Sequence, residues 1–279
     1  MAERGESERV ARGGDGGSAR LRWWRQVALV LGPGLVAMLA DTDAGSVVTV
    51  AQSGAQWGYA LLLPNLLFIP FMFGAQERAM RLALGTGSGI AELVAQYFGR
   101  RAAAALLAVL AASCFGGLLA QLSGLAGVAQ AFGLPVPPVI AGTVGGLMLI
   151  VVTGSYRRVE RISLLVGLLE LAFLVMAWRA APGLAPIADQ IGRLPPADRG
   201  YLYLLAANLG TSIMPWVLLY QASASVDKGL RARQIRAARL ETLAGVLLCQ
   251  TITSALLVAA AATLGGAGPL ATIGQVERA

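Results

Sequence analysis

The sequence predicts an all-α integral membrane protein of seven spans, two of them broken near their middles. Three observations carry that expectation: too little polar surface for water, seven apolar runs of bilayer length, and basic residues gathered on one side of those runs.

Of 279 residues, 56% are hydrophobic and 13% charged, with a mean hydropathy of +0.66. A soluble globule of this size needs more polar surface than that. The net charge of +7 would suit nucleic acid in a soluble protein, but the basic residues sit between apolar runs and do not interleave with aromatic ones, so nucleic acid is excluded as a partner. Histidine is absent, which removes the commonest general base and transition-metal ligand. Cys114 and Cys249 lie far apart inside apolar runs and read as small hydrophobes rather than as a disulfide or metal site. No catalytic residue and no resident cofactor are expected.

Residues 1–25 are rich in Gly, Ser, Glu and Arg and predict a disordered cytosolic tail, not a signal peptide. Apolar runs follow at 27–54, 59–75, 102–131, 136–153, 162–181, 201–224 and 243–264. The second continues as helix through Gln76, Glu77 and Arg78 to the breaker Gly85-Thr86-Gly87. Glu77 and Arg78 are expected to form a structural pair at its cytosolic boundary, with a gating role as the alternative. Gly142 and Gly146, spaced as GxxxG, are expected to let helices pack closely, and the stretch 231–239 to form a solvated basic helix that touches anionic lipid.

With the N-terminus inside, the cytosolic segments hold six arginines before Val27, then Arg78, Arg81, Arg100 and Arg101, then Arg157, Arg158 and Arg161, and finally Lys228, Arg231, Arg233, Arg236 and Arg239. These are 18 of the 22 basic residues, as a multi-pass protein of the cell membrane with a cytosolic N-terminus requires.

The first span carries Asp41 and Asp43 at about its middle, where an ionised carboxylate costs about 2.5 to 3.5 kcal/mol on the lenient insertion scale. On a regular helix the two acids point about 200° apart and cannot serve one site. Unwinding at Ala44-Gly45 would bring them together and free carbonyls beside Ser46, making an oxygen cage for a cation. The sixth span has a matching interruption at Gly210-Thr211-Ser212-Ile213-Met214-Pro215, because proline removes a backbone donor and clashes one turn back. Paired breaks in spans one and six predict an inverted repeat of five spans, with a site at the midplane. The chain then divides into the tail (1–25), a first five-span repeat (26–181), an extracytoplasmic loop (182–200) and the start of a second repeat (201–279).

These residues resemble the NRAMP family of divalent-metal transporters, a branch of the LeuT-type fold. Gly32-Pro33-Gly34 through Asp43-Ala44-Gly45-Ser46 is similar to the family's GP…DPGN stretch, and Ile213-Met214-Pro215-Trp216 to its IMPH stretch. Gln76-Glu77 through Gly85-Thr86-Gly87 to Ala91-Glu92 is similar to its QE…TG…AE segment. The resemblance implies proton-linked import of divalent ions such as manganese or iron, the ion being cargo rather than cofactor. It puts Asp43, Ser46, the carbonyl of Thr211 and Met214 in the metal-binding positions. The chain departs from the family pattern at Ala44, Ser46 and Trp216, and at Leu118 and Gln121, which replace the family's proton-path acids. A proton or cation relay would then run through Asp41 or Glu170, or coupling is absent. Glu170 alternatively pairs with a nearby hydroxyl or basic residue. The family has ten or more spans, so the chain reads as C-terminally truncated.

Three rivals share these residues: a magnesium or amino-acid carrier of the same fold, a membrane enzyme with a DxD metal site, and a non-transporting fragment.

Overall fold

The computed structural model describes residues 33–154, 156–180, 183–191, 195 and 198–266. The expected tail, the start of the first span and residues 267–279 lie outside the described residues.

The first span is two helices, α1 (Pro33–Leu39) and α2 (Ala44–Trp57), separated by Ala40–Asp43. The interruption therefore precedes Ala44-Gly45, where the sequence predicts unwinding. Asp43 is extended (φ −86°, ψ 174°) and its side chain caps α2, so the helix resumes at the alanine immediately after its N-cap. α3 (Leu62–Thr86) is the second span and ends as expected, at Gly87 with φ 71°, a left-handed conformation that glycine adopts without a Cβ penalty.

A short helix α4 (Ile90–Phe98) leads into α5 (Arg100–Ala131) and α6 (Val136–Thr153), the third and fourth spans. The fifth combines α7 (Tyr156–Gly167), a 3-10 turn at Leu168–Leu171 and α8 (Ala172–Ala180). Within the expected extracytoplasmic loop lies α9 (Leu184–Ile191). α10 (Arg199–Ser212) and α11 (Pro215–Asp227) make the sixth span, broken at Ile213 and Met214, and α12 (Ile235–Leu264) the seventh.

Five of these stretches are long and apolar enough to cross a bilayer: 100–131, 136–153, 162–180, 199–227 and 232–264. The other two expected spans differ in kind. The first is divided by its break, and α3 carries Gln76, Glu77, Arg78 and Arg81 in its second half. The basic helix expected at 231–239 is a 3-10 turn, Ala232–Gln234, followed by the start of α12.

α12 is the central rod, packed on α1, α2, α3 and α8, while α11 lies on α1 and α3 and α10 on α2. At Gly54 an added Cβ would fall 2.7 Å from the Leu257 carbonyl and 2.8 Å from Ala260 Cβ, so only glycine lets the backbones of α2 and α12 approach this closely. Conversely, α6 buries none of its residues, and Phe115, Leu119, Met148 and Val152 stand exposed on α5 and α6, as side chains do where lipid is the solvent. The close packing expected at Gly142 and Gly146 is not made within the described residues, since a Cβ at either meets nothing within 4 Å.

Candidate functional site

Asp43 Oδ1 accepts the Ser46 backbone N–H at 2.7 Å and the Ser46 hydroxyl at 2.9 Å. That hydroxyl also donates to the Asp41 carbonyl at 2.9 Å, so Asp43 and Ser46 form one oxygen-rich corner at the mouth of α2. On the other side of the helix start, the Ala44 N–H donates to Gln121 Oε1 at 3.1 Å. Gln121, which the sequence marks only as a departure from the family pattern, thus helps hold the α2 N-terminus beside Asp43.

Asp41 is buried, 3% exposed. Its Oδ2 accepts only the weak Cys249 thiol, at 3.9 Å, and its Oδ1 has no partner among the described residues. Thr42 Oγ1 lies 3.8 Å from the same sulfur. Glu170 stands in the 3-10 turn of the fifth span, with Oε2 buried and without a partner among the described residues. Among the described residues no basic group forms an ion pair with Asp41. Cys249 is free and buried, a member of the apolar cluster that borders the first break.

At the second break Met214 is extended (φ −89°, ψ 132°) at the head of α11. Its sulfur accepts the Trp216 indole N–H at 3.2 Å. The Thr211 hydroxyl is turned back to the Asn208 carbonyl at 3.0 Å. The two breaks border one apolar cluster: Ala37, Met38 and Cys249 belong to it, and Ile213, Met214 and Trp216 pack against it. Among the described residues no three His, Cys, Asp or Glu gather as a metal group, so any metal ion here relies on a mixed set of one carboxylate with hydroxyl, carbonyl and thioether donors.

Glu77 does not pair with Arg78, because adjacent helical residues point apart. It pairs with Arg81 one turn on, and Arg239 of α12 lies 3.9 Å away.

A family model described as natural resistance-associated macrophage protein-like matches residues 34–279. The chain belongs to the Nramp family. Among Nramp relatives it is 29% identical over 268 residues to divalent metal cation transporter MntH 1 of Pseudomonas aeruginosa, covering 88% of this chain and 58% of that protein. To the divalent metal cation transporter MntH of Mycobacterium tuberculosis it is 27% identical over 260 residues, covering 88% and 60%. The chain thus spans about three fifths of the length of these relatives. The manganese transporter of Eremococcus coleocola superposes with a TM-score of 0.75 at 18% identity, over 88% of this chain and 53% of that one. The fold is the LeuT-type bundle of the Nramp transporters, with discontinuous first and sixth spans, in a multi-pass membrane protein.

Proposed function

We propose that this chain binds divalent transition-metal ions of the manganese or iron type and carries them inward across the cell membrane, its N-terminus cytosolic. The cargo sits between Asp43, Ser46, the Thr211 carbonyl and Met214. The observation that carries the reading is the Asp43–Ser46 corner capping α2 at one break, with Met214 of the other break packed against the apolar cluster that holds Ala37 and Met38 of α1 and Cys249. A carboxylate with hydroxyl and carbonyl oxygens binds most divalent ions, and the thioether tilts the set toward manganese, iron or cobalt and away from magnesium. Family membership and metal-transporting relatives support the same assignment.

Protons are the coupling ion in this reading, relayed by Asp41 and Glu170. Both have a buried carboxylate oxygen without a partner among the described residues, and an uncompensated intramembrane carboxylate is retained for a function.

The test is isothermal titration of purified full-length protein with Mn²⁺ and Mg²⁺. Asp43→Ala is expected to abolish both heats. Met214→Ala is expected to weaken Mn²⁺ about tenfold, or about 1.4 kcal/mol, while leaving Mg²⁺ unchanged. Equal loss for both ions would favour the magnesium carrier, and undiminished binding in Asp43→Ala would end the proposal.

A further inference from the structure

Between the first break and α12 lies a second group of donor atoms, none of which belongs to the proposed cargo set. Cys249 Sγ stands 3.9 Å from Asp41 Oδ2 and 3.8 Å from Thr42 Oγ1. The sulfur carries one proton and can donate to only one of these oxygens, over a distance at which a thiol hydrogen bond is weak.

As the edges of a coordination sphere the same separations fit well. A tetrahedral zinc ion with Zn–S of about 2.3 Å and Zn–O of about 2.0–2.2 Å holds sulfur and oxygen ligands about 3.5–3.7 Å apart. Both oxygens therefore lie within roughly 0.4 Å of ligand spacing from one sulfur.

Charge points the same way. Asp41 is 3% exposed, its Oδ1 has no partner among the described residues, and no basic group there forms an ion pair with it. A buried carboxylate so placed lacks a cation. A thiolate and a carboxylate together carry the two negative charges that neutralise a divalent ion, and the ion itself keeps the thiol deprotonated. Ala37, Met38 and Val246 share the apolar cluster with Cys249 and exclude water on one side. Thr42 is half-buried, so the group opens on the other.

We propose that Cys249, Asp41 and Thr42 form a second metal site, selective for a thiolate-seeking divalent ion such as Zn²⁺ and separate from Asp43, Ser46, the Thr211 carbonyl and Met214. Binding breaks the Cys249 S–H bond, forms a sulfur–metal bond and releases the proton to solvent. Three protein donors leave the fourth position to water, the open arrangement of zinc sites that exchange ligands. Mn²⁺ prefers oxygen donors and is the poorer occupant. The site goes beyond the transport reading and needs none of its four metal ligands.

Co²⁺ is the probe, because cobalt bound to a thiolate shows a sulfur-to-metal charge-transfer band that oxygen and thioether donors do not give. Full-length protein carrying Cys114→Ala, which leaves Cys249 as the single thiol, is titrated with Co²⁺ in detergent, and Mn²⁺ calorimetry runs in parallel. A saturable band at micromolar Co²⁺ is expected, bleached by equimolar Zn²⁺ and unchanged by excess Mn²⁺. Cys249→Ser is expected to abolish it and Met214→Ala to leave it intact. Asp41→Asn is expected to weaken Co²⁺ by about tenfold or more, since even an outer-shell partner is worth about 10- to 100-fold in metal affinity. If Asp41→Asn does not fold, Thr42→Val removes the hydroxyl donor instead and is expected to weaken Co²⁺ by about fivefold. No band in the parent, a band reached only at millimolar Co²⁺, a band that survives Cys249→Ser, or one lost to Mn²⁺ or in Met214→Ala would each overturn the site. So would full Co²⁺ affinity in Asp41→Asn or in its Thr42→Val substitute. A parent that shows the band but gives no Mn²⁺ heat keeps the second site and removes the transport reading.

Discussion

The Cys249 thiol is the sole side-chain donor to the buried Asp41 carboxylate among the described residues, 3.9 Å from Oδ2, while Oδ1 stands without a partner. A thiol is a weak donor, so this carboxylate is barely satisfied among the described side chains that bury it.

That shortage predicts an asymmetric response to substitution. Cys249→Val removes the donor and is expected to destabilise the protein by about 1–3 kcal/mol, whereas Cys249→Ser supplies a stronger donor and is expected to cost less. Thermal unfolding in detergent reads the difference, and a Val variant as stable as the parent would show that Asp41 needs no donor there.

Gln121 makes a second prediction. Its Oε1 takes the Ala44 N–H at 3.1 Å, so Gln121→Leu leaves a helix N-terminal donor bare, at about 1 kcal/mol, and is expected to weaken Mn²⁺ binding about fivefold by loosening Asp43. Gln121→Glu preserves the acceptor and is expected to bind within about twofold of the parent. Titration calorimetry on both variants checks it.

Trp216 stands where the family pattern has histidine, and its indole N–H is spent on the Met214 sulfur at 3.2 Å. Trp216→Phe frees that sulfur while keeping an aromatic ring. A soft ion such as Cd²⁺ is expected to gain about three- to tenfold in affinity, in line with a neutral hydrogen bond of about 0.5–1.5 kcal/mol. An unchanged Cd²⁺ affinity would take the thioether out of the ligand set.

Two glycines give opposite expectations. Gly54→Ala drives a methyl group to 2.7 Å from the Leu257 carbonyl and is expected to cost about 1–3 kcal/mol as overpacking. Gly142→Ala meets nothing within 4 Å, so it is expected to be neutral or to gain up to about 1 kcal/mol of helix propensity. Melting temperatures of the two variants rank them directly.

Much of the fold is legible from local chemistry. Pro215 announces the break in the sixth span, and Gly87 the end of α3. The first break is visible too, but sequence reasoning sets it a few residues late: Gly45 stands out as the flexible residue, whereas Asp43 acts as an N-cap and starts the helix at Ala44. The turn at Glu170 leaves no trace, because Leu168, Leu169 and Leu171 read as uninterrupted span. Nor does Glu241 announce that it accepts the Gly34 and Leu35 N–H groups, since they lie 207 and 206 residues away and such distant pairing leaves no periodic signature. Cys249 is similar: a small apolar residue in sequence, and a neighbour of Asp41 only once the chain is folded.

Gly54 carries one more implication. With the Leu257 carbonyl against it and the Gly266 N–H bonded to the Ala55 carbonyl at 3.0 Å, α2 and α12 are riveted along their backbones. Early and late segments of the chain thus share one stationary frame. Any rearrangement that the proposed transport requires has to be carried by the pieces around that frame.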